Sequence, residues 1–208
     1  MNRFYKLLFL LSIIIVGCKS REIDTNTISQ SIDSLHMNIF SNKGKKLLSI
    51  KSPYSNFDNE KNTVNLKETT IMLFNDNENE YFITSDKSKL SNNNKLVELN
   101  GNVIIKSLIK KEDKLYSNNF IWNIEKSEFL LVGNVKFINY SITLSSDKAI
   151  LNKTNNIIEF FNPVKYTVNE GNNKKGYKVM SENAYYNIDT KSVKFKSKEQ
   201  QVRSKIYF

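Results

Sequence analysis

The chain has 208 residues and a formal net charge of +10, and 39% of its residues are hydrophobic. This is enough apolar material for one sizeable domain with a continuous core, and the few prolines and glycines exclude a collagen-like protein. The lysines are scattered, which favours a solvated basic surface over a patch for lipid phosphates, and the lack of a basic helix or aromatic stacking motif argues against nucleic acid as a partner.

The first 17 residues have the layout of a secretory signal. Arg3 and Lys6 precede an apolar run, Leu7 to Val16, that is about half of the ~20 residues that a helix needs to cross a bilayer. The following Ile-Val-Gly-Cys resembles a bacterial lipobox. We therefore predict cleavage after residue 17 and lipidation of Cys18, with an uncleaved anchor as the alternative. Cys18 is the only cysteine, so the exported domain has no internal disulfide and depends on its core.

Residues 18–34 are predicted to be a linker, and residues 35–208 a single domain. The best window for a helix, Thr27 to Leu35, is short and precedes the rest of the pattern. The repeated region that follows contains no amphipathic helix of useful length.

A five-fold repeat dominates the predicted domain. Its copies can be aligned without gaps on five serines, Ser52, Ser85, Ser117, Ser146 and Ser181. Four positions in every copy are apolar or aromatic, at two residues before the serine and at five, twelve and fourteen after it. In the second copy these are Ile83, Leu90, Val97 and Leu99. A shared pattern of this length indicates one structural unit per copy.

Each copy is predicted to be a β-hairpin. Its second half alternates between apolar and polar residues, as a half-buried strand does. Its first half changes parity just after the serine, which is typical of a bulge or bend. Turn-forming residues lie between the halves, as in 91–95 and 152–156.

Hairpins with one apolar face must pack on their neighbours. The sequence therefore predicts an all-β fold, a β-jelly-roll or β-taco built from stacked antiparallel hairpin repeats and open at both ends. Its interior would be an apolar trough. The predicted ligand-facing residues are Leu90, Val97, Leu99, Val103, Trp122, Phe129, Leu131, Val135, Leu151, Ile158, Phe160 and Val164. The alternative is that these side chains fill a closed core.

A Gly-Asn-Val sequence occurs twice, at Gly101 and at Gly133. No helix N-terminus follows either glycine, which excludes a phosphate-binding loop. A glycine inside a strand marks a bulge or a close approach of two backbones. We expect the glycines to shape the strand and Val103 and Val135 to face a ligand.

The sequence offers no catalytic site. His36 is the only histidine, so neither a hydrolytic triad nor a histidine metal cluster can be assembled. Asp76, Glu78 and Glu80 lack the turn glycine and distal glutamate of a calcium loop, and a solvated turn is the stronger interpretation. We predict that the protein is not an enzyme and uses no cofactor.

Two stretches resemble the LptC-like lipopolysaccharide-export proteins of the OstA/LptA–LptC superfamily. Residues 34–58 look like that family's opening, with a strand, a turn closed by Gly44 and a second strand. Residues 68–108 match its central pattern, most recognisably in SDKSKL and LNGNV. The resemblance covers 37–152. The repeat alone identifies only the superfamily.

The resemblance implies a non-enzymatic periplasmic protein that accepts lipopolysaccharide from an inner-membrane ABC transporter and passes it to an LptA-like bridge protein. The N-terminal sheet edge, around Met37 to Ser41, would face the transporter, and the C-terminal edge, around Tyr177 to Tyr186, the bridge protein. The lipid anchor would hold the protein on a membrane, with the inner membrane favoured. Two alternatives remain, a structural tether that pairs strand edges without lipid, and a β-rich chaperone for other lipids.

Overall fold

The computed structural model describes residues 30–76, 78–126, 128–168, 176–198 and 201–207. The predicted signal and Cys18 lie outside these residues. Within them the chain forms twelve strands and no helix. They are β1 (Gln30–Phe40), β2 (Lys46–Asp58), β3 (Thr63–Asn75), β4 (Glu78–Ser91), β5 (Leu96–Ser107), β6 (Lys114–Asn123), β7 (Glu128–Ile138), β8 (Ile142–Asn152), β9 (Ile157–Val168), β10 (Gly176–Asn187), β11 (Val193–Lys196) and β12 (Arg203–Tyr207).

The strands form one antiparallel sheet in chain order from β1 to β11, while β12 pairs with β10. The five repeat copies are the hairpins that begin at β2, β4, β6, β8 and β10. Both predicted turns are confirmed, because residues 91–95 join β4 to β5 and residues 152–156 join β8 to β9. The hairpin interpretation of the repeat is therefore confirmed.

The repeat serines lie where the strand pairing is interrupted. The pairing register shifts beside four of them, Ser85, Ser117, Ser146 and Ser181, for example between Thr84 and Lys87 and between Tyr116 and Asn119. At Ser52 the ladder to β3 is interrupted between Lys51 and Tyr54 without a change of register. Each serine hydroxyl donates a hydrogen bond to the backbone carbonyl two residues later, at 2.7–3.2 Å. A bulge takes backbone groups out of the ladder, and the hydroxyl satisfies one of them. We call the line of these bulges across the sheet the crease.

The sheet folds over along the crease. One of its faces is deeply buried although the described residues contain no helix or second sheet to cover it, so its two halves must cover each other. We call the two halves of the sheet, on either side of the crease, the first wall and the second wall. The first wall carries an inward-facing row of cross-strand partners: Ile50, Ile71, Ile83, Ile105, Leu115, Phe137, Leu144, Tyr166 and Val179. The second wall carries the row Val64, Leu90, Val97, Trp122, Phe129, Leu151, Ile158 and Tyr186. This is the predicted all-β jelly-roll or β-taco.

Aromatic side chains join the two walls. Tyr81 and Phe129 meet edge to face with ring centroids 6.4 Å apart, and Phe137 meets Tyr186 at 4.7 Å. Apolar side chains at the two ends of the sheet, such as Phe57 and Val193, are only half-buried. The packed interior therefore loosens toward both ends.

The N-terminal boundary differs from the prediction. β1 begins at Gln30, inside the predicted linker, and residues 30–35 of the predicted helical window form a strand. The first five residues of β1 are exposed, because β1 is an edge strand with β2 as its one neighbour. A segment with no buried face shows no apolar alternation, so the sequence pattern does not indicate a strand there.

The C-terminal edge also differs. Tyr177 to Tyr186 was expected to be this edge, but these residues belong to β10, which pairs with β9 on one side. On its other side β11 pairs with residues 183–186 and β12 with residues 176–180. The edge is therefore a strand in two pieces, β11 and β12.

Candidate functional site

The structure brings the predicted ligand-facing residues together. All twelve belong to one core cluster, and the most exposed of them, Trp122, is 7% accessible. Val103, Val135 and Val164 lie next to the crease, and the others lie deeper in the second wall. The interior is thus one apolar surface that runs across the strands from β4 to β9.

This interior is closed in the present conformation. A cavity of about 30 Å³ lies between the walls, lined by residues that include Tyr81, Leu115, Phe137, Leu151 and Ile158. That volume suits a water molecule or two, since one water needs roughly 10–15 Å³, and it cannot hold an acyl chain. The aromatic contacts between the walls occupy the space that an open trough would offer. Of the two alternatives, the closed core describes this state.

Polar contacts join the free margins of the two walls, which we call the mouth. Lys110 Nζ donates to the Ile188 carbonyl at 2.6 Å, and Lys191 Nζ lies 3.8 Å from Glu112 Oε1. Asn139 Nδ2 donates to the Tyr186 hydroxyl at 3.0 Å. Each contact connects the first wall to residues 186–191 at the β10–β11 end of the second wall, so the mouth is held shut at that end.

Glu80 contributes to the mouth, in contrast to the prediction that it lies in a solvated turn. It is 9% exposed, and its Oε2 lies 2.6 Å from Lys153 Nζ. That ammonium group sits 5.9 Å from the ring centre of Tyr81 and 5.8 Å from that of Phe129. Asp76 does lie at the surface, where Lys45 lowers the pKa of its carboxyl through a 2.6 Å hydrogen bond.

Burial perturbs titratable groups beside the mouth. Desolvation raises the pKa of Asp113, which lines the small cavity, and raises that of Tyr186 to about 12. Burial also raises the pKa of Tyr81. Low polarity around these groups favours their neutral forms, which agrees with a water-poor interior.

Both glycines of the repeated Gly-Asn-Val sequence lie at the crease. Gly101 has φ +78° and Gly133 has φ +79°, and the asparagine after each is also left-handed. A Cβ on Gly101 would lie 2.6 Å from Asp86 Oδ2, and Asn102 Nδ2 donates to the same oxygen at 2.8 Å. The prediction that these glycines mark bulges is confirmed, and the close neighbour of each is a side chain, Asp86 or Asn118, and not a second backbone.

The remaining candidate residues show no catalytic arrangement. His36 is exposed on β1 and hydrogen-bonds Ser49 Oγ at 3.0 Å. Among the described residues no group of three potential metal ligands occurs. In the same part of the chain, no helix is long and apolar enough to cross a membrane.

A groove on the outside of the sheet was not anticipated from the sequence. It has a volume of about 660 Å³ and lies over β1 to β5, opposite the core. The residues that line it include Tyr54, Lys67, Lys87, Lys89 and Asn100. The groove depends on the pairing of four hairpin strands, so no local pattern reveals it.

Comparison with known proteins identifies a family. A family model described as "Lipopolysaccharide-assembly, LptC-related" matches residues 7–139, more than half of the chain. A search of curated proteins finds no match. Among solved structures, the chain is similar to LptH from Pseudomonas aeruginosa, the LptA-homologous periplasmic component of the lipopolysaccharide transport device. The identity is 13% and the TM-score 0.49, over 62% of this chain and 94% of that one.

Proposed function

Because the chain belongs to the LptC-related family of lipopolysaccharide-assembly proteins, we propose that it accepts lipopolysaccharide from an inner-membrane ABC transporter and passes it to an LptA-like bridge protein. The acyl chains travel between the two walls, and the sugars remain outside. The protein itself carries out no chemistry, and its partner supplies the energy. Lipidation at Cys18 would hold it on the periplasmic face of the inner membrane.

One observation supports this proposal above the others, the continuity of the apolar interior. The row that contains Leu90, Val97 and Phe129 extends from Phe57 on β2 to Val193 on β11 without a charged residue. Each CH₂ group of an acyl chain moved from water to such a surface contributes about 0.8 kcal/mol. A surface that spans the sheet suits a ligand that moves along it.

The closed state implies that lipid enters by separating the walls at the mouth. The Lys191–Glu112 pair there is solvent-exposed, and such pairs typically contribute about 0–1 kcal/mol. The crease, in contrast, is crossed by the continuous backbone of the strands and carries buried serine hydrogen bonds. The mouth is therefore the weaker side, and acyl chains would replace the contacts between walls.

The sheet edges offer places for protein partners. β1 is the N-terminal edge strand and β11 with β12 forms the other edge. Unpaired strand edges can add a strand from another chain. We propose that β1 faces the transporter and that β11 and β12 face the bridge protein.

Site-specific photocrosslinking in cells tests the proposal. Photoreactive residues at Leu99 and Phe129 are expected to capture lipopolysaccharide, and so are residues at Phe57 and Val193, which are half-buried and tolerate replacement better. Matched probes at Lys136 and Lys194, on the outer face, should capture none. If all four inward positions fail while the variants remain folded, lipid does not pass through the interior.

The same experiment separates the proposal from a structural tether. A tether would recover the transporter or bridge protein at β1 or β12 and no glycolipid at any inward position. A chaperone for other lipids would instead capture phospholipid at Leu99 and Phe129.

A further inference from the structure

The outer groove over β1 to β5 has its own recognition surface. Its side chains come from two neighbouring rows on the face that points away from the core. One row pairs Tyr54 with Lys67, Lys67 with Lys87 and Lys87 with Asn100. The other pairs Asn56 with Asn65 and Asn65 with Lys89. The folded sheet thus aligns three ammonium groups and three side-chain amides in one concavity.

The positive charges in this groove face each other. Lys67 and Lys87 are direct cross-strand partners and both are exposed. Like charges in directly opposed positions destabilise a sheet. Asp33 and Glu98 lie at the borders, opposite Tyr54 and Lys89, but among the described residues none of the three lysines has a carboxylate within ion-pair distance. An anionic ligand placed between Lys67 and Lys87 would remove the repulsion.

The other lining groups suit a sugar. Tyr54 is 56% exposed and presents a flat apolar ring on which the C–H face of a pyranose can pack. Asn56, Asn65 and Asn100 offer amide groups that both donate and accept hydrogen bonds, as sugar hydroxyls require. Lysines bind phosphate as mobile point charges. The volume of about 660 Å³ lies in the range of small-molecule sites, roughly 300–1,000 Å³.

We propose that this groove binds a phosphorylated saccharide, with the phosphate between Lys67 and Lys87 and a sugar ring on Tyr54. The inference rests on the proposed function in one respect, since the headgroup of the exported glycolipid would supply such a ligand. The groove and the interior lie on opposite faces of the same strands. Headgroup and acyl chains would thus contact the protein at separate places, either from one glycolipid that wraps the sheet end at β1 or from two successive ones.

Binding to defined probes tests the groove. The full chain, purified from membranes in a neutral detergent, is titrated with a glucosamine disaccharide that carries two phosphates and no acyl chain. Removing the charges with the double variant Lys67→Gln, Lys87→Gln is expected to weaken binding about tenfold or more, since charge-assisted contacts are lost. The matched double variant Lys194→Gln, Lys196→Gln, which removes the same charge from exposed positions on β11, should bind like the wild type.

Further probes establish which chemistry is recognised. The unphosphorylated disaccharide and inorganic phosphate alone are both expected to bind much more weakly than the phosphorylated disaccharide. Equal binding of either one would overturn the proposal, and so would equal binding by the two double variants. Lysine-dependent binding to phosphatidylglycerol vesicles that matches binding to the disaccharide would overturn it too, because the groove would then recognise a membrane surface.

Two controls keep the result interpretable. The thermal unfolding midpoint of the Lys67→Gln, Lys87→Gln variant should equal or exceed that of the wild type, because repulsion is removed. Photocrosslinking from Phe57 and Val193 reports separately on the interior. If the interior captures lipid and the groove variant binds the disaccharide normally, the groove inference fails and the proposed function stands; failure of both readouts rejects both.

Discussion

A serine hydroxyl at each crease position explains why the repeat keeps a small polar residue in an apolar interior. Ser117 is 4% exposed and donates to the Asn119 carbonyl at 2.9 Å. The equivalent bonds occur in all five copies. Alanine at this position would remove the hydroxyl that satisfies the carbonyl two residues later.

Gly101 at the crease allows the cost of a positive φ to be separated from the cost of a steric contact with the new Cβ. Gly101→Ala is expected to destabilise the fold by about 1–3 kcal/mol, because φ is positive and the new Cβ would press on Asp86. Gly44→Ala has nearly the same φ, +75°, with nothing within 4 Å of the new Cβ, so it carries the strain alone. Urea unfolding of both variants measures the difference. A loss at Gly101 no larger than at Gly44 would contradict the close approach.

Asp113 makes stability depend on pH in a direction that reports its burial. Desolvation raises the pKa of its carboxyl in the folded state above the ordinary 3.8, so folding favours the protonated form. Its contribution is therefore most favourable below pH 3.8 and declines as the pH rises through the higher folded pKa. Asp113→Asn should be more stable than the wild type at pH 7 and should lack this decline in urea unfolding.

Asp58 provides the opposite sign as a control. Its pKa is lowered, chiefly because it accepts a hydrogen bond from the Lys61 backbone N–H. Its contribution is present above pH 3.8 and is lost as the pH falls through the lower folded pKa. Asp58→Asn should therefore remove stability at pH 7. A pH slope of Asp113→Asn equal to that of the wild type would show that the Asp113 carboxyl is solvated.

At the level of single elements, the hairpins could be predicted from the sequence because every second residue of a half-buried strand is apolar. In β5 the buried residues Val97, Leu99, Val103 and Ile105 keep one parity through the bulge at residues 101 and 102. The first half of β1 is exposed and has no such alternation of apolar and polar residues. Edge pairing supplies hydrogen bonds without burial, and so its start could not be read from the pattern.

The second strand of the last hairpin is divided into β11 and β12, whereas the second strand of each other copy is continuous. Here the partner of β10 is divided between β11 and β12, and Glu182 contacts the residues that directly follow β11. Its backbone N–H donates to Ser197 Oγ at 3.2 Å, and its carboxylate accepts from the Lys198 N–H at 2.7 Å. Asp86, Asn118 and Asp147 occupy the corresponding position in earlier copies, so the longer glutamate reaches where they do not.

Removal of β12 should therefore have a local effect. A chain that ends after Lys198 loses the β12 partner of residues 176–180, whose pairing with β9 remains, and keeps β11 against residues 183–186. Amide hydrogen exchange is expected to accelerate at residues 176–180 and to stay slow at residues 183–186, because local opening follows lost pairing. The reference is the full-length chain. Uniform acceleration along β10 would mean that β11 and β12 stabilise the edge as one unit.

For the molecule as a whole, the sequence predicted the apolar interior and left open whether it is accessible. The polar contacts at the mouth that help to close it involve residues other than the four shared apolar positions of the repeat. Glu80 and Lys153 come from different copies, as do Lys110 and Ile188. A repeat shows which residues face inward, but the closure depends on how far one wall is staggered against the other. That offset between the walls cannot be predicted from the sequence of one copy of the repeat.

Locking the mouth should block the proposed transport. Cysteines in place of Glu112 and Lys191, whose charged atoms are 3.8 Å apart, can be joined in cells by a reducible bismaleimide linker. Lipopolysaccharide capture at Phe129 is expected to fall sharply after linkage and to recover after reduction, since the walls can no longer separate. Cysteines in place of Lys45 and Asp76, an ion pair within the first wall, are the matched control. Undiminished capture in the locked protein would place the lipid elsewhere.

The order of strands in the sheet has a consequence for how the protein acquires its structure. From β1 to β10 each strand pairs with its neighbours along the chain, so the sheet can grow hairpin by hairpin with little loss of loop entropy at each step. The contacts across the mouth, such as Glu80 with Lys153, need several finished hairpins and must form late. A newly made chain therefore has a paired sheet before it has a sealed interior, and in that interval its apolar face is open to aggregation and to the first lipid that it meets.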